Sequence, residues 1–190
     1  MRTRTLAASV VMLLSAERVA AQSVQIYADS ACSACDVHVP YPGGVVFYTV
    51  LHPGPSGGAS FVAFRILGLP PGWTTITQRV HATAFDWLEG DLFGDGVRYR
   101  FPCRSGDCIP LFRTLVLPNA AASDITLSVT HSPFDCGRPF PWDCRPPVMG
   151  LCDETLVALA ESAAGTINGS ADCTVGVRAI TWSQVRMRYR

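Results

Sequence analysis

The sequence predicts an all-β fold: one antiparallel β-sandwich, stapled by disulfides and exported behind a cleaved N-terminal signal. Three observations predict it. Pro and Gly punctuate short apolar runs at roughly the 8–12-residue spacing of sandwich strands. Two segments alternate with period two, Val97, Tyr99 and Phe101 against Arg98 and Arg100, and Ile125, Leu127 and Val129 against Thr126 and Ser128. Such alternation turns one face to a core and the other to water. The chain also carries eight cysteines behind an export-like N-terminus, the pattern of a disulfide framework in an oxidising compartment.

The strands follow in order. Val24 to Ala28 reads as the first. Val45 to Leu51 is β-branched and aromatic, and His52-Pro53-Gly54-Pro55 ends it, because proline has no N–H to give a ladder. Ser60 to Leu67 runs to the stop Gly68-Leu69-Pro70-Pro71-Gly72, and Thr-rich Thr74 to Val80 follows. The two alternating segments come next, with Pro110 to Leu117 between them and Thr174 to Ile180 near the end. Asp153 to Ala164 has helix propensity, but its centre, Leu156 to Ala160, is read as strand in this β context. Residues 132 to 152 hold five prolines and three cysteines without periodicity, and are expected to form a stapled loop. Thr181 can cap a short helix in which Trp182, Val185 and Tyr189 share one face.

Arg2 and Arg4 precede an uncharged run from Leu6 to Ala16, and Val19-Ala20-Ala21 offers a peptidase site before Gln22. No later segment approaches the roughly 18 apolar residues of a membrane span. The expected organisation is a signal peptide over 1–21, a disulfide-stapled sandwich over 22–180 and a helical tail over 181–190. The expected location is secreted, periplasmic or cell-envelope. All 15 basic residues are Arg, balanced by 15 acids. They are scattered along the chain, so the basic stripe that nucleic acid requires is absent.

The cysteines are Cys32, Cys35, Cys103, Cys108, Cys136, Cys144, Cys152 and Cys173. All are read as structural, with Cys103–Cys108 the favoured pair as a short closure. Cys32-Ser33-Ala34-Cys35 with His38 nearby also admits a redox dithiol or half a zinc site. It sits in a polar loop rather than at a helix start, and no second cluster with ligand spacing accompanies it. Asp86, Glu89, Asp91 and Asp95 lie in a Gly-containing stretch. Against a calcium loop, Phe93 and Pro102 occupy two positions that need oxygen ligands, so a solvated turn fits better. The histidines His38, His52, His81 and His131 come with no nucleophile-elbow motif. Cys144 to Met149 contains no histidine for a copper site. Asn168-Gly169-Ser170 has the form of a glycosylation sequon but reads as a turn. No catalytic residue and no cofactor are predicted. The indoles Trp73, Trp87 and Trp142 sit at strand ends or in loops, where they could stack on a sugar ring or plug the core.

Short motifs run along most of the predicted mature chain: Gly68-Leu-Pro-Pro-Gly-Trp73, Arg100-Phe-Pro-Cys103, Asp124-Ile-Thr-Leu-Ser-Val129, Leu151-Cys-Asp153, Ile167-Asn-Gly169, Cys173-Thr-Val-Gly-Val177, Thr181-Trp-Ser-Gln-Val185 and Tyr189-Arg190. In these the chain resembles a recurring group of small secreted, disulfide-containing proteins from environmental bacterial genomes. No function is attached to that group, so the resemblance implies a secreted β-sandwich and brings no site residue with it. Arg186 stands where the group's pattern has Lys, and Phe140-Pro-Trp-Asp-Cys144 is an added Pro-rich insertion that leaves the disulfide pairing there open.

The expected architecture is a sandwich of immunoglobulin-like or cohesin-like general shape. The expected function is a non-enzymatic extracellular binding or envelope-structural module of unspecified ligand. The alternatives are a carbohydrate-binding module on Trp73, Trp87 or Trp142, and a secreted hydrolase or metal protein on His38, His81 or His131.

Overall fold

A computed structural model describes residues 22–132 and 146–169. These form two antiparallel sheets. The smaller holds β1 (Ser23–Tyr27), β2 (Val45–His52), β7 (Ile109–Leu117) and β4 (Thr74–Arg79), in the order β1-β2-β7-β4. The larger runs β10 (Leu156–Ala158), β9 (Val148–Leu151), β3 (Gly58–Leu67), β6 (Gly96–Ser105) and β5 (Trp87–Asp91). Two further strands, β8 (Ile125–Thr130) and β11 (Ala163–Ile167), extend it: β8 pairs with the last three residues of β3, and β11 pairs with β8. One edge of β3 is therefore shared end to end, Ala59 to Ala63 with β9 and Arg65 to Leu67 with β8.

The alternating segments behave as their pattern requires. Val97, Tyr99 and Phe101 of β6 and Ile125, Leu127 and Val129 of β8 are buried, while Arg100 and Thr126 are exposed. Between the sheets, Tyr99 packs on Phe101 and Phe112 with ring centroids 4.9 and 5.3 Å apart, and Phe64 meets Phe112 at 6.4 Å. Each such ring contributes about 1.5–3 kcal/mol on burial, so this cluster joins the sheets independently of any strand edge.

Three strands lie where none was expected. β5 occupies the acidic stretch read as a turn, and every one of its residues is exposed. Only its end is a turn: the 92–95 connection closes a hairpin onto β6, with Asp91 accepting the Phe93 N–H at 3.1 Å. β9 lies inside the stretch read as loop and sends Met149 into the core. β11 follows β10, and its last residue bridges to Val37. Next to it Asn168 ties three segments together, with its amide bonded to Val39 N–H and C=O and to the Ala122 C=O. Its side chain is thus engaged in holding the turn.

The expected Cys103–Cys108 closure does not form. Cys103 pairs with Cys152, and Cys108 with Cys32. β6 and β7 belong to different sheets, so the 106–108 connection is a crossover that carries the two cysteines to different neighbours. Cys136, Cys144 and Cys173, Trp142, the Thr174 to Ile180 strand, the signal peptide and the helical tail lie outside the described residues.

Candidate binding face on the larger sheet

The outward face of the larger sheet gathers side chains from five strands into one row. Register places Trp87 of β5 beside Arg100 of β6, Arg100 beside Phe61 of β3, Phe61 beside Gly150 of β9, and Gly150 beside Leu156 of β10. Four inter-strand steps make the row about 19 Å long. These residues, with Ser60 and Glu154, line a groove of about 670 Å³. Trp87 is 49% exposed and Leu156 56%, so among the described residues an indole and a leucine each leave about half their surface to water.

Gly150 shapes the floor. A Cβ built there would lie 2.9 Å from the Phe61 Cβ and 3.5 Å from the Leu156 Cδ2. Glycine lets those two side chains close over the strand. Polar character comes from Arg100, whose Nη2 lies 3.3 Å from the Glu154 Oε1, both side chains being largely exposed. The groove thus offers an apolar floor between an indole and a leucine, with one cation and one anion along it.

Each side of the groove has its own anchor. On the β5 side, the residue before Trp87 is Asp86, whose carboxylate is wholly buried. It accepts the Tyr99 hydroxyl at 2.7 Å and the Thr83 hydroxyl and N–H at 2.7 and 3.1 Å. The Arg104 guanidinium lies 4.0 Å away, donates to the His81 C=O at 2.8 Å and covers the Phe101 ring at 5.1 Å. Burial pushes the Asp86 pKa up, but the hydrogen bonds from Tyr99 and Thr83, with the charge of Arg104, hold it below the usual carboxylate value. Burial, then the bond to Asp86 and its charge, push the Tyr99 hydroxyl up to about 12.

On the β10 side the anchor is covalent. Cys103 lies in β6 and Cys152 just past the end of β9, the two strands that flank β3, and strands two places apart lie about 9.5 Å from one another. Their Cα atoms are only 5.2 Å apart. The ladder is irregular here: β3 shifts register against both neighbours between Ala59 and Phe61. On the β6 side that irregularity accommodates Pro102, a residue confined to bulges and edges because it cannot donate.

The other residues singled out by sequence do not join this face. Trp73 is 8% exposed and part of the core, a plug rather than a stacking platform. Among the described indoles, Trp87 is the one on open surface. Cys32 and Cys35 are not paired with one another: Cys32 bonds Cys108, and Cys35 is also disulfide-bonded. Asp29 folds their loop by accepting Ala31 and Ser33 N–H groups. His38 and His81 are exposed. His131 lies 3.8 Å from Glu161, beyond hydrogen-bond reach. His52 is held by the Tyr27 hydroxyl and the Asp107 C=O at 3.1 and 2.6 Å. Among the described residues no three His, Cys, Asp or Glu side chains converge.

No protein-family model matches the chain, and no curated protein matches it in sequence. Two solved structures share its shape. The sixth cohesin of scaffoldin B from Acetivibrio cellulolyticus, solved in complex with a Cel5 dockerin mutant, superposes with a TM-score of 0.50 at 13% identity, covering 79% of this chain and 99% of that one. A cohesin module of a family 33 glycoside hydrolase from Clostridium perfringens does so with a TM-score of 0.45 at 11% identity, covering 79% and 98%. The likeness to the Acetivibrio cellulolyticus module shows the fold, a cohesin-like β-sandwich. No helix of the described residues is long and apolar enough to cross a membrane.

Proposed function

We propose that this chain is a secreted, non-enzymatic module that binds a partner polypeptide on the outward face of its larger sheet. The observation that carries the reading is the row Trp87–Arg100–Phe61–Gly150–Leu156, a largely apolar stripe in register across five strands whose two ends, Trp87 and Leu156, are about half exposed among the described residues. A stripe about 19 Å long suits a polypeptide segment better than a single sugar ring. A partner apolar side chain would sit over Gly150 between Trp87 and Leu156, with an acidic and a basic group on the partner answering Arg100 and Glu154. Aromatic and Arg side chains at the centre of a patch are the residue types that dominate protein interfaces. The shared fold of a cohesin crystallised with a dockerin supports a protein ligand. The disulfides suit an oxidising, extracytoplasmic compartment.

The test is a photo-crosslinking residue placed at position 87, with position 78 on the opposite sheet as control, exposed to the secreted proteins of the source cells. The expected result is a polypeptide crosslinked from position 87 alone, whose purified form loses about tenfold or more in affinity on Trp87→Ala or Arg100→Glu. Equal crosslinking from both positions overturns the reading. So does a glycan array showing sugar binding abolished by Trp87→Ala, which would assign the face to carbohydrate.

A further inference from the structure

The two disulfides of the described residues differ in where they stand. Cys103 and Cys152 are both exposed, whereas Cys32 and Cys108 are both half-buried. The exposed pair also stands at the rim of the groove. Cys152 opens the 152–155 turn, and that turn and the strand after it supply Glu154 and Leu156. Among the described residues β10 pairs with β9 alone. The bonds that shape the turn are internal to the hairpin: Leu151 N–H to Thr155 C=O at 2.8 Å, Glu154 N–H to Leu151 C=O at 3.0 Å, and Thr155 N–H to Asp153 Oδ1 at 2.9 Å. They keep its shape without fastening it to the sheet. Past the turn, β10 is tied by its three-residue ladder to β9 and by the buried Leu159 that follows it, but the turn itself is fastened by the Cys103–Cys152 bond and the exposed Arg100–Glu154 pair, with the Ser60 hydroxyl on the Leu151 C=O at 2.9 Å just before it. An exposed ion pair holds little. Gly58 makes room for the sulfur, since a Cβ there would meet the Cys152 Sγ at 3.0 Å and the Arg104 C=O at 3.2 Å. β9, by contrast, is secured by its ladder to β3 and by buried Met149.

We propose that Cys103–Cys152 is a redox latch on the groove: its reduction frees the 152–156 segment, withdrawing Glu154 and Leu156, while the two-sheet core stays folded. The functional consequence, loss of docking, rests on the reading above. The reductant is a dithiol. One of its thiolates attacks a protein sulfur, the S–S bond breaks and a mixed disulfide forms. Its second thiolate displaces that sulfur and closes the reductant's own disulfide. Two electrons and two protons have then passed to Cys103 and Cys152, which end as thiols. Exposure admits this attack at Cys103–Cys152 ahead of Cys32–Cys108.

The experiment titrates the oxidised, full-length folded protein with dithiothreitol, alkylates the thiols, identifies them by peptide mass, and follows amide hydrogen exchange in parallel. The expected result is alkylation of Cys103 and Cys152 at a reductant concentration that spares Cys32 and Cys108. At that point exchange across 151–158 rises by about tenfold or more, while β2 and β7 exchange as before. Earlier reduction of Cys32–Cys108, unchanged protection across 151–158, or loss of protection throughout the sandwich each overturns the latch. Starting from folded protein avoids dependence on whether Cys103→Ser/Cys152→Ser folds. No partner is needed, so the latch fails on exchange data alone, whereas the docking reading fails on the crosslinking data alone.

Discussion

The two edges that meet across the groove are held by different physics. The β5 edge, which carries Trp87, has its ladder to β6 and, at its start, one buried carboxylate, Asp86, bonded to Tyr99 and Thr83 with Arg104 close by. The β10 edge, which carries Leu156 and follows Glu154, has its ladder to β9 and, at the turn before it, an exposed disulfide. Neither strand buries much of itself: β5 is exposed throughout, and β10 has only three residues, of which Val157 alone is half-buried, so core contact comes only from the residues just after them, Leu92 and Leu159. A binding face made of edge strands needs fasteners other than a core, and each fastener brings its own sensitivity, to protons on one side and to thiols on the other.

The largest effect expected from breaking this comparison is on the β5 side. Asp86→Ala removes the acceptor of three hydrogen bonds and leaves the Tyr99 hydroxyl and the Arg104 guanidinium without their carboxylate. The expected cost is about 3 kcal/mol in urea unfolding, with exchange rising over 83–91 while the β9–β10 hairpin keeps its protection. If Asp86→Ala loosened both edges equally, the edges would not be separately fastened.

Titration sharpens the same contrast. The folded Asp86 pKa lies below its ordinary value of 3.8. Its contribution to stability is therefore complete above that value and is lost as pH falls from there through the lower folded value. Tyr99 has the opposite sign. Raised from 10.0 to about 12, its contribution is present below pH 10 and lost as pH rises toward 12. Unfolding free energies measured from pH 2 to 12 should fall at both ends. Asp86→Asn should flatten the acid limb, and Tyr99→Phe the alkaline one. An acid limb unchanged by Asp86→Asn would remove Asp86 as the proton-sensitive fastener.

How far the sequence foretold this depends on burial. β6 and β8 were legible because each buries one face, so Val97, Tyr99 and Phe101 had to alternate with exposed residues. β5 left no such trace: Trp87-Leu-Glu-Gly-Asp91 is exposed at every position, and its strand character comes only from pairing with β6. β9 sends one large side chain inward, Met149, from a stretch crowded with Pro and Cys. Of the groove residues, only Trp87 could be singled out. The row exists because of register among segments from residue 61 to residue 156, and alternation within one strand says that Arg100 faces out but not what stands beside it. Disulfide connectivity was hidden for a related reason: Cys103 and Cys108 are close in sequence, yet the chain changes sheets between them.

A middle-sized effect is expected at the floor of the groove. In Gly150→Ala the new methyl would stand 2.9 Å from the Phe61 Cβ, which is bonded directly to the β3 backbone and moves only with it, and 3.5 Å from the Leu156 Cδ2, which can swing aside. The expected cost is about 1–2 kcal/mol, with Leu156 turned outward and affinity for a crosslinked partner reduced. Unchanged stability would mean that the strands give way more easily than this spacing allows.

The smallest effect belongs to the exposed ion pair. The Glu154 side chain is 82% exposed and Arg100 66%, so water and salt screen their attraction and both side chains lose freedom in making it. Glu154→Gln should change stability by less than about 0.5 kcal/mol, and raising the ionic strength should not widen the gap between variant and parent. The same substitution should matter more to a partner, since docking would strip water from the pair and leave Arg100 without its carboxylate. If Glu154→Gln instead cost as much as Gly150→Ala in the free protein, the ion pair would be fastening the β10 edge, and the weight assigned to the Cys103–Cys152 bond would have to be divided between them.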